Sequence, residues 1–142
     1  MTTITADLVS GYRVDITNER HRWTADEPPE HGGGDAGPSP YEMLLGAAAA
    51  CTAMTLSMYA QRKGIHLDSV SVRYSFDRVH TEDSAGCVEG GDNWLHRIQS
   101  QVFVEGRFDE EQRRRLTEIA SRCPVHRTLE QGVVFVDEVF VG

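Results

Sequence analysis

Ser39–Gly64 reads SPYEMLLGAAAACTAMTLSMYAQRKG, and its two ends are as informative as its middle. Ser39 is a good helix N-cap, Pro40 suits the first helical position, and Glu42 completes an S-x-x-E capping box. Lys63 and Gly64 supply a basic last turn and a glycine stop. The spacing predicts one helix over about residues 40 to 63, and roughly 23 residues at 1.5 Å rise make a rod of about 35 Å. Its interior, LLGAAAACTAMTLSM, is apolar on nearly all sides. A helix of that kind is expected to be central and wrapped by other elements.

On the N-terminal side, Ala6 to Thr17 and His21 to Ala25 alternate apolar and polar residues about the polar turn Asn18-Glu19-Arg20, which predicts a hairpin. Between this hairpin and the helix lies DEPPEHGGGDAGPSP, where Pro28, Pro29 and Gly32 to Gly34 exclude regular structure. On the C-terminal side, Ser69 to His80 and Trp94 to Glu105 predict a second hairpin around the loop TEDSAGCVEGGDN. Asp109 to Arg122 has an acidic start and apolar Leu116, Ile119 and Ala120 at helical spacing, so it reads as a second, more exposed helix. Pro124 starts a short helical turn, and Val133 to Val141 (VVFVDEVFV) is expected to be a closing strand. The order β-β-α-β-β-α-β fits an α+β fold with an antiparallel sheet.

The chain has 142 residues, 39% hydrophobic and 25% charged, with a formal net charge of −8. That length suits a single domain, residues 1 to 142. The acidic balance argues against nucleic acid as a partner, because phosphate binding needs a concentrated basic patch. We expect no membrane partner, since no stretch reads as a span of some 18 to 20 apolar residues and the N-terminus lacks the form of a signal peptide. A cytoplasmic location is the corresponding expectation.

Three cysteines make no secreted disulfide framework, and in a reducing compartment free thiols are either buried packing or chemistry. Cys51 lies in the apolar helix with Ala47, Ala48, Met54 and Thr55 on its face, which fits a small core residue as well as a reactive one. Reactivity would require a nearby cation or other donor, because apolar burial disfavours the thiolate. Cys123 precedes Pro124. If Pro124 opens a helix, Cys123 is its N-cap, where free N–H groups and the helix dipole favour a thiolate.

The stretch GPSPYEMLLGAAAACTAM, followed by a helix ending in RCPVHRTL and a last strand, resembles the OsmC/organic hydroperoxide resistance family. The likeness spans roughly residues 10 to 141. It implies an OsmC-like fold, an antiparallel sheet wrapped around the long helix, and an intertwined homodimer with sites at the subunit interface. It also implies a thiol-dependent reductase of organic hydroperoxides in which Cys51 matches the peroxidatic cysteine and Cys123 the resolving one. An external dithiol would then reduce the disulfide.

The chain departs from the family pattern at the groups that activate the thiol. The family usually carries a carboxylate ten residues before the first cysteine, and Tyr41 stands there. Glu42 is nine residues away, about half a helical turn out of phase with Cys51, and is explained by its capping box. The family's arginine maps near Glu30 and His31 in one branch and near Arg13 in the other, with Arg20, Arg22 and Arg127 as further candidates. Tyr41, Met54 and Met58 suggest an apolar peroxide.

No cofactor or metal is expected: His80, Asp83, Cys87 and Asp92 lack zinc-ligand spacing. Gly32 to Gly34 is no phosphate loop, because no Lys-Ser/Thr follows. Cys87 reads as a spectator, and His126 either tunes Cys123 or is a surface residue. Organic hydroperoxide reduction by Cys51 and Cys123 is thus the leading reading. The alternative is a non-peroxidatic binding or thiol-handling protein that lacks the Arg/Glu activation system.

Overall fold

A computed structural model describes residues 1–80 and 94–142, and the loop carrying Asp83, Cys87 and Asp92 lies outside the described residues. The chain forms two compact units, Met1–Gly46 and Ala47–Gly142.

The first unit is a three-stranded antiparallel sheet of β1 (Thr5–Ser10), β2 (Arg13–Thr17) and β3 (Arg22–Ala25) in that order. The sequence predicted one strand over Ala6 to Thr17. The structure divides it, because Gly11 adopts φ +55, a left-handed conformation cheap only for glycine, and folds β1 back on β2. The second turn is where the sequence placed it. Asn18 Oδ1 accepts from the Arg20 and His21 N–H groups at 3.2 and 2.7 Å, an Asx-type closure.

The loop that follows is ordered by Asp26, which is 4% exposed. Its carboxylate accepts from the N–H groups of Glu27 (2.8 Å), Gly34 (3.2 Å) and Ala36 (3.1 Å). A 3₁₀ turn spans Pro29–His31. Next, α1 (Pro40–Lys63) begins as predicted: Ser39 N–H donates to Glu42 Oε2 at 2.7 Å, and Glu42 N–H donates to Ser39 Oγ at 3.4 Å.

In the second unit, β4 (His66–His80) and β5 (Trp94–Arg107) form one long antiparallel hairpin. The register sets Val70 opposite Val104 and Val72 opposite Val102. Leu67, Val70, Val102 and Val104 pack against a core of Leu56, Tyr59, Ala60, Ile65 and Leu116. The C-terminal part of α1 supplies three of those residues, and α2 (Glu110–Ala120) supplies Leu116. Asp109 caps α2 in a full capping box with Gln112. The chain then enters α3 (Pro124–Gln131).

Two expectations change. By length and composition α1 is apolar enough to cross a bilayer. Reading no stretch of the chain as a potential span therefore understated it. Residues 133–141 form no strand among the described residues, and their apolar side chains stand in solvent, with Val134, Phe140 and Val141 about nine-tenths exposed. A strand needs a partner edge for its N–H and C=O groups, and the described residues pair none with this segment.

Candidate functional site

The Cys-Pro dipeptide shapes the site locally. Pro124 occupies the first position of α3 and leaves Cys123 as N-cap in extended conformation, φ −66 and ψ 144. The thiol turns back over the helix start, where its Sγ accepts from the His126 N–H at 3.3 Å. Capping is usually done by an oxygen, so sulfur here receives the helix's free N–H and the positive end of its dipole. Cys123 is completely buried.

The second partner of Cys123 comes from α1. Thr52, also completely buried, places its Oγ1 3.4 Å from Cys123 Sγ, 3.1 Å from the Ala48 carbonyl and 2.9 Å from the Tyr74 hydroxyl. Cys51 is the residue before Thr52, half-buried, so the fold brings the two cysteines near each other. Both are free thiols.

Beside this network, sharing Tyr74 and His126 with it, lies a pocket of about 260 Å³, lined further by His96, Ile98, Leu129 and Glu130. His126 Nε2 lies 3.2 Å from Glu130 Oε1, and its Nδ1 is buried with no hydrogen-bond partner among the described residues. The pocket therefore pairs an apolar wall with two hydroxyls, two imidazoles and a carboxylate.

The remaining sequence candidates fall into two groups. Met54 and Met58 lie one turn apart on α1 and are exposed. In the first unit, His31, Tyr41 and Glu42 line one pocket with Glu27, Asp35 and Ser39. His31 Nδ1 faces Glu27 at 3.7 Å, while Glu42 is engaged by the Ser39 cap. Arg13 does not line that pocket, and its guanidinium lies 3.9 Å from Asp15. His126 had two open readings in the sequence, and the structure sets its backbone N–H on Cys123 while its imidazole faces Glu130.

Thr52 and Tyr74 were not singled out from the sequence. A lone threonine next to a cysteine in an otherwise alanine-rich run was the available signal. A tyrosine on an alternating strand gave none.

The stretch that contains both cysteines is matched by a family model. The model for OsmC-like protein covers residues 32–136. The chain belongs to the OsmC-like family. No curated protein matches this OsmC-like protein in sequence. Solved structures resemble it along most of its length. An OsmC-like protein of Mycoplasma pneumoniae is 23% identical over 92% of this chain and 87% of its own, with a TM-score of 0.71. An organic hydroperoxide resistance protein OsmC of Legionella pneumophila, also described as a predicted redox protein, is 19% identical over 91% and 88%, with a TM-score of 0.62. An organic hydroperoxide resistance protein of Elizabethkingia anophelis is 19% identical over 90% and 89%, with a TM-score of 0.58. At these identities the likeness establishes the OsmC-like fold.

Proposed function

We propose that this OsmC-like protein reduces organic hydroperoxides with Cys51 and Cys123 as its redox pair. The observation that carries the reading is the setting of Cys123, a buried thiol within reach of the Thr52 hydroxyl and the His126 N–H, beside the residue that follows Cys51.

In the proposed cycle the Cys51 thiolate attacks the terminal oxygen of R–O–O–H and breaks the O–O bond. The products are a Cys51 sulfenic acid and an alkoxide, which takes a proton to leave as the alcohol. The Cys123 thiolate then attacks the sulfenic sulfur, forms the disulfide and expels hydroxide, which takes a proton to leave as water. An external dithiol returns both thiols by exchange and leaves as its own disulfide. The apolar wall of Ile98 and Leu129, with Met54 and Met58 exposed on α1, favours an alkyl or aryl peroxide over hydrogen peroxide.

The reading includes a homodimer in the cytoplasm. Support for the dimer comes from residues 133–141, whose exposed valines and phenylalanines form an apolar run that a second copy would cover. Reduction of the disulfide in each turnover suits a compartment that supplies thiols.

One observation favours the second reading, a thiol-handling protein without peroxidase activity. Tyr41 replaces the family's usual carboxylate, and the neighbouring Glu42 already accepts from the Ser39 N–H.

The experiment treats the reduced protein with one equivalent of cumene hydroperoxide or of hydrogen peroxide, counts the remaining thiols and maps disulfides by peptide mass. Rapid, stoichiometric Cys51–Cys123 formation with the organic peroxide is expected. Unchanged thiols would overturn the peroxidase reading in favour of the second.

A further inference from the structure

We propose that Thr52 acts as a proton rotor that stabilises the thiolate of Cys123, with Tyr74 holding the rotor in place. The inference deepens the reading of Cys123 as an attacking thiol and rests on it. It comes from counting hydrogens around one buried oxygen.

Thr52 Oγ1 has three partners within reach: the Ala48 carbonyl at 3.1 Å, the Tyr74 hydroxyl at 2.9 Å and Cys123 Sγ at 3.4 Å. A hydroxyl offers one proton and two lone pairs. The Ala48 carbonyl can only accept. With Cys123 as a neutral thiol, all partners are satisfied if Thr52 donates to Ala48 and accepts from both Tyr74 and the S–H of Cys123. When Cys123 loses its proton to buffer, its sulfur becomes an acceptor and the old arrangement fails. Rotation of the Thr52 hydroxyl by one staggered position turns its proton from Ala48 to the sulfur. The thiolate then has two donors, Thr52 Oγ1 and the His126 N–H.

The Ala48 carbonyl is a helical acceptor and keeps its backbone role, so releasing the threonine proton leaves no orphan there. Tyr74 donates to Thr52 in both states, fixing the oxygen and polarising its O–H towards sulfur. Both Thr52 and Cys123 are fully buried, where a hydrogen bond to a charged atom is stronger than in water. A valine of the same shape would pack equally well and lack the donor.

The titratable groups around the rotor are Tyr74 on β4, His96 on β5, and His126 and Glu130 on α3, all lining the adjoining pocket. Cys51 precedes Thr52 on α1. Arg122 and Arg127 lie close to Cys123 in the chain and are exposed. Apart from Cys51 and the residue under test, these groups are common to every protein compared, so differences between variants report the hydroxyls.

The test is a pH titration of thiolate absorbance at 240 nm in protein bearing Cys51→Ser and Cys87→Ser, which leaves Cys123 as the one thiol. Thr52→Val is expected to move the appearance of the thiolate about one pH unit higher, the scale of one hydrogen bond to a charged group. Thr52→Ser restores the parent profile, and Tyr74→Phe moves it in the same direction by less. Thr52→Ala repeats the deletion if circular dichroism finds the valine protein misfolded. Coincident profiles for the parent and the folded hydroxyl-deletion variant would overturn the rotor. The titration needs no peroxide, so a protein that fails to consume peroxide yet shows the shift would sink the peroxidase reading alone.

Discussion

Thr52 Oγ1 and Cys123 Sγ meet at 3.4 Å from positions 71 residues apart in the chain. This contact joins the apolar helix to the Cys-Pro helix start and brings the second cysteine under the first cysteine's neighbour. Together with the His126 N–H, it gives the buried sulfur two polar partners.

Cysteine replacement should divide the proposed cycle into its two steps. After cumene hydroperoxide, Cys123→Ser is expected to accumulate a Cys51 sulfenic acid that dimedone traps, as judged by peptide mass. Cys51→Ser should give no adduct at Cys123 on the same timescale. Adduct on Cys123 alone would reverse the assigned roles.

Leu56 is fully buried in the cluster with Tyr59, Ile65 and Leu116. Leu56→Ala leaves a cavity and is expected to lower stability by about 2–5 kcal/mol, read from urea denaturation midpoints at constant slope. A loss below about 1 kcal/mol would mean that the cluster collapses onto the gap.

Gly33 and Gly37 lie against backbone. A Cβ at Gly33 would overlap the Glu27 carbonyl, and one at Gly37 would overlap the Thr24 carbonyl. Neither obstacle is a side chain that can swing away, so Gly33→Ala and Gly37→Ala should each cost about 1–3 kcal/mol. Thermal melts of the two variants test this, and unchanged midpoints would mean that the loop takes another path.

Acid should loosen the loop that Asp26 holds. The Ala36 N–H, followed by those of Glu27 and Gly34, holds the Asp26 carboxyl below its ordinary value of 3.8, against the opposing effect of burial. A carboxyl lowered in the folded state contributes stability that is present above its unfolded value and is lost as pH falls through the folded one. Melting temperature should therefore drop as pH goes below about 4, and Asp26→Asn should flatten that acid limb while lowering stability at neutral pH. An acid limb of equal slope in both proteins would assign acid loss to other carboxylates.

Residues 133–141 should report the oligomeric state. Phe135 is 79% and Phe140 88% exposed in the single chain. Phe135→Asp with Phe140→Asp is expected to shift size-exclusion elution from a dimer to the 15.8 kDa monomer. A parent protein that already elutes as a monomer would remove the dimer from the proposal.

Much of the fold was legible because its signals are local. Ser39, Pro40, Glu42 and Gly64 delimit α1 through bonds within one or two turns, and the structure starts and ends it at Pro40 and Lys63. The N-cap position of Cys123 was legible for the same reason, since Pro124 fixes its own φ and so marks the helix start. The division of the first strand was less visible. Alternation runs straight through Gly11, and only the backbone angle reveals a turn. Residues 133–141 have strand composition, but pairing depends on an edge that composition cannot supply.

The sequence by itself determined the bounds of α1, the β4–β5 hairpin, α2, the family resemblance and the two cysteine settings, because capping, periodicity and motif spacing act between neighbours along the chain. Only the tertiary structure decided that Thr52, itself bonded to Tyr74, meets Cys123. Those contacts join three elements, and a residue on an alternating strand or an apolar helix carries no local mark of the distant sulfur it will meet.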